Sequence, residues 1–178
     1  MCAVEYYTYD EYTQWKGDWE LIKGVPLALA PAPMITHQAI AAKIVTQLNN
    51  TTGKCEACLV LGEADWKIND DTVVRPDVAL ICNEPNDAYM TKAPEVIIEV
   101  ISKSTAKRDE QTKFKLYEEE KVKYYIIVYP GDCKAKIYKL IDGKYSKEGD
   151  FSLETYCFEE TSCPAEIDFE TVFRRFRQ

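Results

Sequence analysis

Positive charge, glycine loops and long apolar runs are all scarce in this chain. Lysine and arginine total 22 against 30 aspartates and glutamates, a formal net charge of −8. So acidic a chain is a poor non-specific ligand for nucleic acid, because such binding rests on cations that neutralise phosphates. A passive DNA-coating role is therefore disfavoured; a nuclease, whose clustered carboxylates are offset by metal, is less affected. The seven glycines are scattered and none forms GxxxxGK[ST], so no glycine loop cradles nucleotide phosphates. No apolar run approaches the roughly 20 residues that span a bilayer. Residues 1–7 carry no basic stretch followed by an apolar core, unlike a signal peptide. The expected location is the cytoplasm, without membrane contact.

Cysteine is not scarce, but its arrangement is uninformative. Seven cysteines, an odd number with no export signal, read as reduced thiols. Cys55 and Cys58 form a CxxC with no second CxxC, and Cys157 and Cys163 are far away in sequence. A structural zinc site needs about four ligands. A redox motif would sit at a helix N-terminus after a strand, and here a strand follows instead. The motif is accordingly set aside.

What is present suits one globular domain. At 178 residues, 46% hydrophobic and 29% charged, the chain can bury a sizeable core. There is no internal repeat, low-complexity segment or linker. Thr8 with Glu11 forms a capping-box pattern opening a short helix over 8–15. Residues 19–22 and 25–29 flank Lys23-Gly24 as a hairpin. Thr36 is the expected cap of a helix to residue 50 that shows Ile40, Ile44, Val45 and Leu48 on one face. Strands follow at 59–61, 64–68, 78–82, 96–101 and 124–129, with a helix over 107–120. Asp142-Gly143 signals a hairpin between 136–140 and 145–147. Two short strands and a helix over 168–176 close the chain. The central strand–helix–strand unit favours a mixed α/β sheet with helices on its faces.

Residues 73–117 carry the chemistry. Arg75-Pro76-Asp77 sets an acid at a strand start, since Pro76 biases Arg75 towards extended backbone. Glu99 interrupts the run Val96-Ile97-Ile98-Glu99-Val100-Ile101. An unpaired carboxylate there would face a large desolvation cost. Alone, such a glutamate commonly pairs with a buried cation. A second carboxylate on a neighbouring strand shifts the balance towards a divalent metal, since Mg²⁺ takes one or two carboxylates with waters and phosphate oxygens. Asp109, Lys113 and Tyr117 share a helical face at i, i+4 spacing. For Lys113 the spacing leaves open whether it borders the sheet or faces solvent. The arginines 174, 175 and 177 suit a helix C-terminus.

Taken together, Trp19-Glu20-Leu21-Ile22-Lys23-Gly24, His37-Gln38, Arg75-Pro76-Asp77, the run from Ile98 to Thr105, Arg108-Asp109 with Lys113 and Tyr117, and Tyr125-Ile126-Ile127-Val128 resemble the Uma-two type of restriction-endonuclease family, in the PD-(D/E)XK superfamily. The resemblance runs from about residue 8 to 173. It implies a restriction-endonuclease-like mixed sheet flanked by helices, with extra hairpins. It also implies DNA as partner, Mg²⁺ held by Asp77 and Glu99, and Glu20 as a further acid at the metal. The superfamily lysine lies two residues after the second acid, a position held here by Ile101. The resemblance moves that role to Lys113. His37, in the matched His-Gln motif, and Lys103 are candidates for substrate contact. Nucleases that cut both strands commonly act as dimers, so a homodimer is compatible. Two alternatives remain. One is a non-catalytic binding module on the nuclease scaffold; the other is a phosphatase or nucleotide hydrolase on the same metal site.

Overall fold

Hydrophobic alternation, not helix content, organises the chain. A computed structural model describes residues 5–29, 34–102 and 105–177. In order, these form α1 (Tyr9–Tyr12), β1 (Trp19–Ile22), β2 (Val25–Ala28), α2 (Ile35–Thr52), β3 (Cys58–Gly62), β4 (Trp66–Asn69), β5 (Thr72–Val74), β6 (Val78–Cys82) and β7 (Val96–Val100). A π-helical turn (Arg108–Lys113) then runs into α3 (Phe114–Glu119). β8 (Tyr124–Tyr129), β9 (Lys134–Ile141), β10 (Lys144–Phe151), β11 (Thr155–Cys157), β12 (Glu166–Asp168) and α4 (Phe169–Phe173) complete it.

The main sheet has six strands in the order β10-β9-β8-β7-β6-β3. Only β7 and β8 run parallel, joined by the crossover that carries α3. A second sheet, β2-β1-β5-β4, includes the N-terminal hairpin, whose turn residues Lys23 and Gly24 both have positive φ, 51° and 76°. That is the type I′ geometry that matches strand twist. The 142–143 turn is built the same way, with φ of 50° and 80°.

Every buried strand of the main sheet sends alternate residues to two cores. Val78, Leu80, Val96, Ile98, Ile126 and Val128 pack on one face against Ile40, Ile44 and Leu48 of α2 and Phe169 and Phe173 of α4. Ala79, Ile81, Ile97, Tyr125 and Ile127 pack on the other against Leu116, Tyr117, Trp66, Val74 and Ile22. The four-residue spacing of Ile40, Ile44 and Leu48 puts all three on one helix face, each fully buried. Such burial contributes about 1.5–3 kcal/mol per side chain.

Three expectations need correction. α2 begins at Ile35, one residue before Thr36, because extended Met34 (φ −57°, ψ 150°) already turns the chain into the helix, and no side chain caps it. β5 has no counterpart among the expected strands: its three residues are too few to show a period. Nor are the cysteines all reduced thiols: the structure pairs Cys55 with Cys163 and Cys58 with Cys82. The fold itself causes this, since Cys58 and Cys82 are direct partners across the β3–β6 ladder. Among the described residues no helix is long and apolar enough to cross a membrane.

Candidate active site

The antiparallel register of β6 and β7 pairs Val78 with Ile98. One step outward along both chains, Asp77 therefore stands opposite Glu99. Glu99 lies on the face away from α2, by the same alternation that sends Ile97 there, whereas Asp77, just before β6, reaches His37 of α2 at the strand end. Like charges opposite each other on neighbouring strands are destabilising, so the pair requires a cation.

One cation is supplied by the helix that follows. Lys113 Nζ lies 2.9 Å from Glu99 Oε1 and 2.7 Å from Glu20 Oε1, and the residue is only 2% exposed. The π-helical turn accounts for its placement. Its wider winding buries both Asp109 and Lys113, with Asp109 Oδ1 3.9 Å from the ammonium. Tyr125 Oη donates to the Asp109 carbonyl at 3.0 Å, tying the turn to β8. One turn on, Tyr117 Oη donates to Glu99 Oε1 at 2.8 Å.

Glu20, fully buried on β1, accepts at Oε1 from the Arg75 backbone N–H (2.9 Å) as well as from Lys113. Its Oε2 and Asp109 Oδ1 are buried without any hydrogen bond. Arg108 approaches both, at 3.6 and 3.8 Å, too far to donate. Asp77 Oδ2 accepts from the Val100 backbone N–H at 2.7 Å and meets His37 Nε2 at 3.1 Å. Burial opposes protonation of His37, but its hydrogen bond to Asp77, with the charges of Asp77 and Glu63, prevails and raises its pKa.

Electrostatically the cluster is overloaded with negative charge. Burial is the main cause that pushes Glu99 up to about 8; Lys113 pulls the other way, and Asp109, Asp77 and Glu20 add to the rise. Asp109 is raised as well, again chiefly by burial. Burial would lower Lys113, yet Glu20, Glu99 and Asp109 hold it firmly protonated. With all four carboxylates (Glu20, Asp77, Glu99, Asp109) ionised, they would exceed the two cations (Arg108, Lys113) by two charges, which is why Glu99 and Asp109 hold their protons more tightly. That excess matches one divalent ion, and the two orphaned oxygens are unmet acceptors of the kind a cation or water satisfies. The donor chemistry is that of a hard metal's oxygen ligands, but no three of these carboxylates bring their oxygens within 4.8 Å of one another, so a metal would draw them closer.

Asp77, Glu99, Asp109, Lys113, Arg108 and His37 all line an open cavity of about 1570 Å³. Small-molecule pockets run to about 300–1,000 Å³, so this one suits a larger substrate. Glu20 is not in its wall: it lies behind Lys113. Arg175 and Arg177 line the cavity too. Arg174 and Arg177 pair with Glu170, as a helix-end role suggests, whereas Arg175 makes no ion pair among the described residues. Lys103 lies outside the described residues.

The sequence named Glu20, His37, Asp77, Glu99 and Lys113, and the structure gathers the first with the last two and joins His37 to Asp77. It did not single out Asp109 and Arg108 as site residues. The signal was the i, i+4 spacing of Asp109 with Lys113, which is common on solvated helices.

A family model, Uma2, described as "Putative restriction endonuclease", matches residues 5–163. The chain belongs to this family. A crystal structure titled as a putative nuclease belonging to DUF820 from Anabaena variabilis superposes on 96% of this chain and 99% of that one. The TM-score is 0.76 at 16% identity, so the Uma2 chain and that protein share the restriction-endonuclease-like fold. No curated protein matches the chain. Membership of Uma2 supports a nuclease function.

Proposed function

We propose that this Uma2 protein is a Mg²⁺-dependent endonuclease that hydrolyses DNA phosphodiester bonds. The observation that carries this is the cross-strand pair Asp77 and Glu99, set opposite each other in a cavity wall with a buried lysine at 2.9 Å. Asp77 and Glu99 would hold the metal, with Asp109 beside them. Glu20 contributes its orphaned Oε2 to the negative field and fixes Lys113 through Oε1. Bound Mg²⁺ supplies a Lewis acid that polarises a phosphoryl oxygen and lowers the pKa of an attacking water. Lys113 takes the role of the superfamily lysine: its ammonium, held by two carboxylates, sets fixed positive charge where phosphoryl charge grows. His37 and the Val100 N–H aim the Asp77 carboxylate. Arg175, which also lines the cavity, provides a cation for a flanking phosphate, and Lys103 is a further proposed substrate contact. Cutting both strands would use two copies, hence a homodimer on DNA.

A specific observation favours a second reading, a nuclease scaffold that binds without cutting. Lys113 is already engaged by Glu20 and Glu99, which limits its reach to phosphate. One experiment separates the two: calorimetric titration of Mg²⁺ and Mn²⁺, with cleavage of supercoiled, linear and single-stranded DNA. The expected result is one metal-binding class, lost in Asp77→Asn, with nicking reduced at least about 10²-fold. No metal bound by the native protein, or nicking unchanged in Asp77→Asn, would overturn the nuclease reading. DNA binding without turnover would establish the scaffold.

A further inference from the structure

At the far end of β6 from Asp77, four cysteines converge. Cys82 is the last residue of that strand, so the two ends lie about 17 Å apart at 3.3 Å per residue. Cys58 is its cross-strand partner on the edge strand β3. Cys55 arrives from the segment after α2, in a tight turn where the Cys58 N–H approaches the Cys55 carbonyl at 3.5 Å. Cys163 arrives from the loop before β12, 108 residues away. The sulfurs of Cys55, Cys58 and Cys163 all lie within 4.8 Å of one another, and Cys58 joins Cys82 in a second group of the same span. Glu95 belongs to that second group, but its carboxylate is taken up by Lys123 and Ser162.

We propose that Cys55, Cys58, Cys82 and Cys163 form a four-thiolate site for a zinc-class divalent ion in the reduced protein. The CxxC supplies two ligands from a turn, as in structural zinc sites. The fold, not the sequence spacing, supplies the other two. A tetrahedron with Zn–S arms of about 2.3 Å has edges of about 3.8 Å, inside the 4.8 Å span of Cys55, Cys58 and Cys163 and of Cys58 with Cys82; the Cys82 sulfur, outside the first group, swings in to complete it once its disulfide is reduced. Cys58, Cys82 and Cys163 are at most 8% exposed and set in the α2-side core, so four sulfurs close the site and no position is open for substrate. The ion is structural. It staples the edge strand, the end of α2 and the C-terminal segment.

The two disulfides of the oxidised form and the metal site use the same atoms and exclude each other. Two molecules of a small thiol reduce each disulfide, becoming one disulfide themselves and leaving two protein thiols. Metal binding then releases the thiol protons.

Cobalt(II) is the probe. The full-length protein is reduced with a small thiol, desalted without oxygen and titrated with Co²⁺, then Zn²⁺. One equivalent should give the intense visible absorption of tetrahedral sulfur-ligated cobalt, abolished by Zn²⁺. Cys82→Ser and Cys163→Ser should each weaken binding at least about 10-fold, whereas Cys133→Ser and Cys157→Ser should not. No such absorption in reduced protein that keeps its circular dichroism would overturn the proposal. So would an unchanged titration in both Cys82→Ser and Cys163→Ser, or unfolding on reduction that Co²⁺ does not reverse. None of these readouts depends on cleavage.

Discussion

Glu95 and Glu99 stand four residues apart on one chain segment, both largely shielded from water, yet their surroundings differ in kind. Glu95 accepts from Lys123 Nζ at 2.9 Å and from the Ser162 N–H and hydroxyl at 2.6 Å each. Burial would raise its pKa, but these bonds outweigh it and hold the carboxylate below its usual range. Glu99 also has partners, Lys113 and Tyr117, yet it is driven up to about 8 because burial is joined by three neighbouring carboxylates. A satisfied carboxylate anchors a fold; a crowded one marks a site awaiting charge. Glu95 sits just before β7 and Glu99 near its end.

The contrast can be broken by substitution. Lys113→Ala should have the largest effect, since it leaves Glu20 and Glu99 buried without their shared cation. A loss of about 3–5 kcal/mol in urea unfolding is expected, and a loss below about 1 kcal/mol would show that the carboxylates relax freely. Glu95→Gln should cost about 1.5–3 kcal/mol at pH 7, the value of hydrogen bonds to a charged group, with nicking retained. Because the folded pKa of Glu95 is depressed, its contribution is present above the unfolded carboxylate pKa of about 4.3 and lost as pH falls through the folded value. The gap between native protein and Glu95→Gln should therefore close on acidification, as a pH series of denaturation curves would reveal. Tyr117→Phe removes one hydroxyl from Glu99 and should cost about 1 kcal/mol by thermal unfolding. The smallest stability change is expected for Glu99→Gln. A carboxylate whose pKa is raised by folding disfavours the folded state once ionised, so the neutral isostere should stay within about 1 kcal/mol of native while losing nicking.

Much of this was legible in the residues. The apolar runs at 78–82 and 96–101, with Asp77 at the start of one and Glu99 inside the other, put two acids on neighbouring strands, and the Lys23-Gly24 and Asp142-Gly143 pairs marked both hairpins. Thr8 and Glu11 do form their box, with the Glu11 carboxylate accepting from the Thr8 N–H at 2.8 Å. Local patterns report local geometry, so what escaped was long-range or non-standard. A π-helical turn has no pattern separate from an α-helix, so Asp109 looked like a surface acid. Cys82 and Cys163 reach Cys55 and Cys58 only through strand pairing and a returning C-terminal loop. Which cations a buried acid meets depends on how two sheets pack, which periodicity does not encode.

The β6–β7 register has one further consequence. Because side chains alternate with a period of two, a slip of one residue by β7 would turn Glu99 into the α2-side core and Ile98 to the opposite face. The misregistered strand would bury the Glu99 charge away from Lys113. The acid therefore acts as a proofreading mark for strand alignment: only the chain that has folded in register brings Glu99 to Lys113 and opposite Asp77, as the proposed metal site requires.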